Sequence, residues 1–411
     1  MRTSFVVIVA VPALALGACK WTEFDDLSDS TWVVASGKPD VKSSDYGVAI
    51  ARGDRAIATG GTLAVIGAGV PSYSELAFSA AGGSSVPSNN VALPDKGVTS
   101  FDPQPPFLLA HPTSSEVALI TNGDASSIVV AAGEHTVNVK QMFVPSGVTP
   151  SPTAATYLQP PKKTPADTQL PPVQPLVGAG DFVLGEIGSP VASCKLVDGA
   201  TAIGVRALGV LRTVGGSDDV LAWGANGKLY HYPGSVFFGC ATQVAIGASY
   251  DTKFVPGVGS QILPIDATRV LLQGHADPKT GDAGLLQVVD ATTLTPIGNP
   301  VSAAGLRTAA VLAVDSQLYA VAGFPTAVVD GTIAGQVNVY RITATGLDTT
   351  PVATLHDAQP EASQSFGRSV AALPFNGKQV IAVAANNEIF VYFRANQSDG
   401  TALYAEARQG R

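Results

Sequence analysis

Charge, cysteine and local catalytic motifs are all scarce in this chain, and each scarcity closes off a class of function. Charged residues make up 14% of the 411 residues, and acids outnumber bases, for a formal net charge of -8. Such a body lacks the electrostatic footprint of a nucleic-acid binder, so no nucleic-acid partner is expected. It also lacks a basic patch for anionic lipid. Only three cysteines occur; no Cys-x-x-Cys pair or neighbouring histidine completes a zinc-type set at Cys194 or Cys240. His111, His135, His231, His275 and His356 are scattered, without a His-Glu-x-x-His turn, and read as packed or surface residues. No Gly-x-Ser-x-Gly elbow, phosphate loop or dinucleotide fingerprint appears. No metal, cofactor or enzymatic activity is therefore expected, although distant residues gathered round one mouth would leave no local trace.

A long apolar run is missing as well. Phe5–Leu16 is apolar but, at 12 residues, too short to span a hydrocarbon core, which needs roughly 20. With Arg2 before it, the stretch reads as a secretory leader covering residues 1–18. It closes on Leu16-Gly17-Ala18-Cys19, which resembles the lipobox of bacterial lipoproteins. The resemblance implies cleavage before Cys19 and acylation of its sulfur and new amino group. The alternative is an ordinary Ala-x-Ala cleavage that leaves Cys19 a free thiol. A buried acyl chain contributes about 0.8 kcal/mol per methylene, and two or three chains hold firmly where one does not. In diderm bacteria, Asp directly after the lipidated Cys marks retention at the inner membrane. Lys20 stands there instead, so an outer-membrane lipoprotein, facing the periplasm or the cell surface, is expected. Losing the leader removes Arg2 and takes the net charge from -8 to -9.

Glycine and proline are plentiful. At 43 and 29 residues they form about a sixth of the chain, which disfavours long helices because an interior Gly costs about 1 kcal/mol and Pro about 3. Apolar residues, at 46%, supply ample core. The body is expected to be folded and all-β. Cys194 and Cys240 form an even pair in an oxidising compartment and are expected to be bonded; two buried free thiols are the alternative.

A repeat runs through the body. Gly335-Gln336-Val337-Asn338-Val339-Tyr340 alternates apolar and polar residues as a half-buried strand does. Similar stretches end at Tyr232, Val289 and Tyr392, so that the four end positions are separated by 57, 51 and 52 residues. Thr136–Lys140 and Tyr73–Phe78 look like degraded copies, and Phe182-Val183-Leu184 marks a faint one. Small-residue strands precede the clear copies: Leu221–Gly224, Tyr319–Gly323 and Val380–Ala384. Units of about 50 residues with several short strands suit a β-propeller of about seven four-stranded blades.

Phe366-Gly367-Arg368-Ser369-Val370-Ala371, with Asn376-Gly377 and Val380-Ile381-Ala382-Val383 after it, resembles an FG-GAP repeat. That is the blade unit of integrin α-subunit propellers and of many bacterial surface proteins. Tyr46-Gly47-Val48-Ala49-Ile50 and Leu63–Gly69 are similar, with Tyr in place of Phe. Blades of this family often hold calcium in an acidic loop. Here Pro374–Gln379 has no carboxylate, and Ala51–Arg55 sets Asp54 between two arginines, too few oxygens for that ion. Arg52-Gly53-Asp54 spells an integrin-ligand tripeptide but reads as a hairpin turn at Gly53-Asp54. Asp277–Asp282 reads as an exposed loop. Trp21, Trp32 and Trp223 are read as core residues, with a ligand surface as the alternative.

Residues 19–40 form the acidic tether, within which Ser30–Ala35 is expected to close the last blade. Residues 41–411 form the propeller. Pro145–Pro175, with nine prolines, is expected as an exposed excursion unable to pair in a central strand. The sum is a non-enzymatic, membrane-anchored scaffold of the cell envelope whose loops meet a protein or polysaccharide. The rival is an extracytoplasmic hydrolase or lyase acting on envelope polymer at the central mouth.

Overall fold

Seven sheets of four or more strands and one two-stranded ribbon make up a computed structural model of the chain. It describes residues 31–35, 46–57, 60–67, 72–77, 87–92, 107–110, 116–120, 127–132 and 136–146, and most of 151–392. Up to residue 140 the description is of backbone alone. The leader, Cys19, Trp21, His111, His135 and Asp277–Asp282 lie outside the described residues. The one helical element among them is a 3-10 turn at Gly234–Phe237.

The sheets follow one another along the chain. Sheet I comprises Tyr46–Ile57, Gly60–Gly67, Ser72–Ala77 and Pro87–Ala92; sheet II comprises Phe107–Ala110, Glu116–Ile120, Ser127–Ala132 and Thr136–Gln141. Sheet III runs Pro152–Leu158, Gln174–Ala179, Phe182–Leu184, Cys194–Asp198 and Thr201–Ala202, with Gln243–Ala245 added in parallel beside Cys194–Asp198. Sheet IV holds Val205–Leu211, Asp219–Gly224, Lys228–Tyr232 and Ala248–Asp251; sheet V holds Gln261–Pro264, Arg269–Gly274, Gly284–Asp290 and Thr295–Ala303. Sheet VI is Thr308–Val314, Gln317–Phe324 and Gln336–Thr343, its outer edge shared by Gly346–Leu347 and Ala353–Leu355. Sheet VII is Ser369–Phe375, Lys378–Ala384 and Glu388–Tyr392, completed by Thr31–Ala35 from the start of the chain. The first strand of each sheet lies against the first strand of the next, and that of sheet VII lies against that of sheet I.

The core lies between sheets. Along Asp219–Gly224, Val220 and Ala222 pack toward sheet III, while Leu221 and Trp223 pack toward sheet V. A sheet buried on both faces needs little polar alternation, and this strand carries almost none. Between sheets VI and VII, the fully buried Phe366 meets Phe390 edge-on at 5.0 Å and Tyr392 at 6.1 Å. The chain can reach that position because Gly367 takes φ +86°, where a Cβ would stand 2.7 Å from the Gln336 carbonyl oxygen. This is the physical content of the Phe-Gly pair seen in the sequence.

Two faces follow from the pairing. At the crossover face the chain passes from one sheet to the next, and second strands turn into third strands. At the opposite, hairpin face, first strands turn into second and third into fourth. In sheet VII, Phe375 pairs with Lys378 at the hairpin face and Ala384 pairs with Ile389 at the crossover face. Thr31 lies opposite Tyr392, and Ala35 lies opposite Glu388. The closing strand therefore begins at the hairpin face.

The positions read from the sequence fall into place with three corrections. Tyr232, Val289, Tyr340 and Tyr392 all lie in third strands, as do Phe182–Leu184 and most of the Tyr73–Phe78 copy. Thr136–Lys140 lies in the fourth strand of sheet II instead, because alternation marks any half-buried strand; the third, Ser127–Ala132, does not alternate. The Pro-rich stretch is not one excursion either. Pro152–Leu158 is the first strand of sheet III and pairs with Gln174–Ala179. Its prolines bracket rather than interrupt the pairing: Pro152 opens the strand, and Pro160 follows it. Pro175 precedes Val177–Ala179, the part of its strand paired on both sides. Likewise Gly53 is no turn residue, since it pairs with Thr62 inside a strand and the hairpin closes beyond Ile57.

The disulfide joins Cys194 to Cys240. Cys194 is in the fourth strand of sheet III, and Cys240 is in the segment between the last two strands of sheet IV, so the bond staples neighbouring sheets.

Two measurements check this layout. Chain starting at residue 37 is expected to unfold in urea with about 3 kcal/mol less stability than chain starting at residue 30, from the net worth of a five-residue ladder; equal midpoints would refute the closing role. Replacing Cys194 and Cys240 together by Ser should cost about 4 kcal/mol on the chain-entropy account of a 46-residue loop, and reductant should produce the same loss in the parent protein.

Candidate functional site

Three features of the crossover face are built from loops that the sheets hold in place. The first lies between sheets III and IV. Gly227, at φ +79°, turns the chain from the second strand of sheet IV into the third and brings Lys228 up to Asp198 at 2.9 Å. Asp198 also accepts a hydrogen bond from the Tyr230 hydroxyl at 3.2 Å, and Asn226 donates to that hydroxyl at 2.6 Å. The Lys228 hydrogen bond holds the Asp198 carboxyl below its usual range against the opposing effect of burial, and Asp198 raises Lys228 in turn. Burial raises Tyr230. Both charges are committed, so the group is a clamp between sheets rather than a proton donor or acceptor. With each partner 39% exposed, water screens the pair and its contribution to stability is small.

The second feature lies between sheets V and VI. Arg307 Nη1 is 2.6 Å from His275 Nε2. Arginine can only donate, so Nε2 accepts, and the imidazole proton sits on Nδ1, which faces the Leu306 carbonyl at 3.3 Å. The His275 backbone N–H donates to Ser260 Oγ at 2.9 Å, and Gln261 Oε1 accepts from the Ala309 N–H at 3.1 Å. Gln273, two residues before His275, is fully buried, and neither of its amide atoms has a hydrogen-bond partner among the described residues. A single Gln at the end of the apolar run Val270–Leu272 carried no sign of this in the sequence.

The third feature is the ribbon Val328–Val329 and Thr332–Ile333, which rises from the turn between the second and third strands of sheet VI. Asp330 and Gly331, at φ 49° and 81°, form its turn, the combination a twisted two-residue hairpin favours. Opposite residues of a ribbon share a side. Val329 is buried, while its neighbour Val328 and the facing Ile333 are 62% and 56% exposed. Asp-Gly between two β-branched pairs is the sequence signal that could have found it.

The hairpin face carries a different cluster. Asp219 accepts from the Gly234 N–H at 3.1 Å and pairs with His231 Nε2 at 2.9 Å, which pins the 3-10 turn. Asp218 Oδ2 accepts from the Gln159 N–H at 2.8 Å, and the Asp218 N–H returns a bond to the Gln159 carbonyl. Asp218 is only 4% exposed; burial, outweighing that hydrogen bond, raises its carboxyl above the usual range.

The remaining residues singled out from sequence are dispersed. His356 Nδ1 faces the Asp357 carbonyl at 2.8 Å. Trp223 is fully buried against Phe254, with ring centroids 5.7 Å apart, and belongs to the core. Trp32 is described only as backbone in the closing strand.

No family model matches the chain, and no curated protein sequence matches it. Among solved structures, the chain is similar to BBS1N, a β-propeller, in crystals of its complex with ARL6DN soaked with lead. The TM-score is 0.56 at 11% identity, over 89% of this chain and 98% of that one. The mercury-soaked crystal agrees, with a TM-score of 0.56 and 97% of that chain covered. At this identity the likeness speaks for the fold alone: the chain has the fold of a β-propeller.

Asp218 supplies a pH test. A carboxyl whose folded pKa is raised stabilises the fold at pH below its unfolded value, near 3.9, and that contribution is lost as pH rises through the folded value. Asp218→Asn keeps an oxygen for the Gln159 N–H and removes the titration. The variant is expected to gain stability relative to the parent between pH 4 and pH 7, as read from urea midpoints at the two pH values; a constant difference would refute the assignment.

Proposed function

We propose that the protein is a lipid-anchored, non-enzymatic scaffold of the bacterial cell envelope, a seven-bladed ring whose crossover face docks a protein or polysaccharide partner. The observation that carries the docking reading is the ribbon, which holds Val328 and Ile333 together in water on a rigid two-strand support. An exposed apolar pair on an ordered hairpin is the anchor geometry that protein partners use. Support for seven blades comes from seven sheets whose first strands adjoin in cyclic order. Phe366-Gly367 is read as a degenerate FG-GAP unit because its ring and its positive φ serve one junction between sheets. The similar structures are of BBS1N in complex with ARL6DN, which supports reading the fold as a docking body. The outer-membrane address rests on Leu16-Gly17-Ala18-Cys19 and Lys20.

The rival hydrolase reading gains nothing from the charged clusters described. Asp219 and His231 pin a turn, and Lys228 and Asp198 neutralise each other.

Two expected outcomes test the proposal. Cys19→Ala should leave a folded protein that no longer sediments with membranes after a high-salt wash; retention would overturn the anchor. A photo-crosslinking residue at Val328 in intact cells should capture an envelope protein or polymer, and Ile333→Asp should abolish the product. Capture at background level, or capture indifferent to Ile333, would count against docking through the ribbon.

A further inference from the structure

We propose that the hairpin face of the ring lies against the lipid surface that holds Cys19, which leaves the crossover face and its ribbon turned away from the membrane. The inference rests on the anchor reading above and adds to it the posture of the body.

The register of the closing strand decides the geometry. Thr31 is the first residue of that strand and lies opposite Tyr392, at the hairpin face; Ala35, opposite Glu388, lies at the crossover face. The chain arriving from Cys19 must therefore meet the body at the hairpin-face end of the outermost strand of sheet VII. The described chain also leaves this sheet there, at Tyr392. Only the twelve residues Cys19–Ser30 separate the acylated position from Thr31, a contour of at most about 40 Å at 3.3–3.6 Å per residue.

That reach limits the postures open to the ring. Strands of seven or eight residues, such as Lys378–Ala384 and Gln317–Phe324, span about 25 Å from face to face at 3.3 Å per residue. For the crossover face to touch lipid, the tether would have to climb the outside of sheet VII and spend most of its contour on that climb. With the hairpin face down, the whole contour of those twelve residues is left to bridge from Thr31 to the membrane. A chain of net charge -8 is not drawn as a whole toward anionic lipid, so the attachment point governs.

Sheet VI offers one reporter position on each face. Ala344 follows the third strand at the hairpin face, where Leu318 pairs with Ile342, and is exposed. Val328 stands on the ribbon at the crossover face and is 62% exposed. Cys19 carries lipid on the anchor reading, and Cys194 and Cys240 are bonded to each other; Ala344→Cys or Val328→Cys then provides the reactive thiol. Full-length lipidated protein, labelled at either site with a fluorophore, is placed in vesicles of phosphatidylethanolamine and phosphatidylglycerol that carry a nitroxide on some headgroups. Melting curves matching the parent confirm both variants as folded. The expected result is loss of most fluorescence at position 344 and little loss at 328. Equal quenching at both sites, or stronger quenching at 328, overturns the posture while leaving the anchor in place. Failure of the lipidated protein to float with vesicles overturns the anchor itself and the posture with it, so the two failures are distinguishable.

Discussion

The pairing of Thr31–Ala35 with Glu388–Tyr392 is the constraint on which the rest depends. A cyclic arrangement of sheets has no covalent closure, and each sheet buries its faces only if both neighbours are present. Sheet VII takes its fourth strand from the other end of the chain, so the first strand laid down and the last are held by one ladder. Without it the third strand of sheet VII would be an open edge, an invitation to pair with another chain. The ladder forms only when the last sheet is in place, which makes closure the most non-local step of the fold.

The same ladder links architecture to position in the cell. The residues that pair with sheet VII stand twelve positions after the candidate lipid site, so under the proposed anchor the outer edge of sheet VII would be both seam and attachment point, with the hairpin face nearer the anchor. The other carries the crossovers, the Asp198–Lys228 clamp, the His275–Arg307 pair and the Val328–Ile333 ribbon. The polar groups of this face largely serve one another across sheet junctions, so they stiffen it. The ribbon adds an apolar pair, Val328 and Ile333, that faces water. A stiff support under an exposed apolar pair keeps the ordering cost of any docking there low, which is the physical ground of the proposed scaffold reading.

Most of the framework was legible in the chain because strand repetition leaves a period. The positions ending at Tyr232, Val289, Tyr340 and Tyr392 all proved to be third strands, and Ser30–Ala35 was identified as the seam from the need to close a ring. Legibility failed where local composition was asked to speak for pairing. Proline content hid Pro152–Leu158, since what matters is whether prolines fall between paired residues or beside them. Alternation misplaced Thr136–Lys140 by one strand, because periodicity reports burial and not rank within a sheet. The site was less legible still. Asp218 and Gln273 are polar residues whose meaning depends on what is packed around them.

By itself, the sequence determined the all-β class and the approximate length of a unit, and it raised the expectations of a Cys194–Cys240 bond, which the structure contains, and of a lipid anchor. Those follow from composition, covalent chemistry and a repeat that survives in one dimension. The tertiary structure alone decided which face the closing strand enters from, that Val328 and Ile333 share the exposed side of a ribbon, and that Asp198 and Lys228, thirty positions apart, meet between sheets. The physical reason is that register and facing are properties of pairs of strands. A chain read singly carries the period of each strand but not the partner against which it is set.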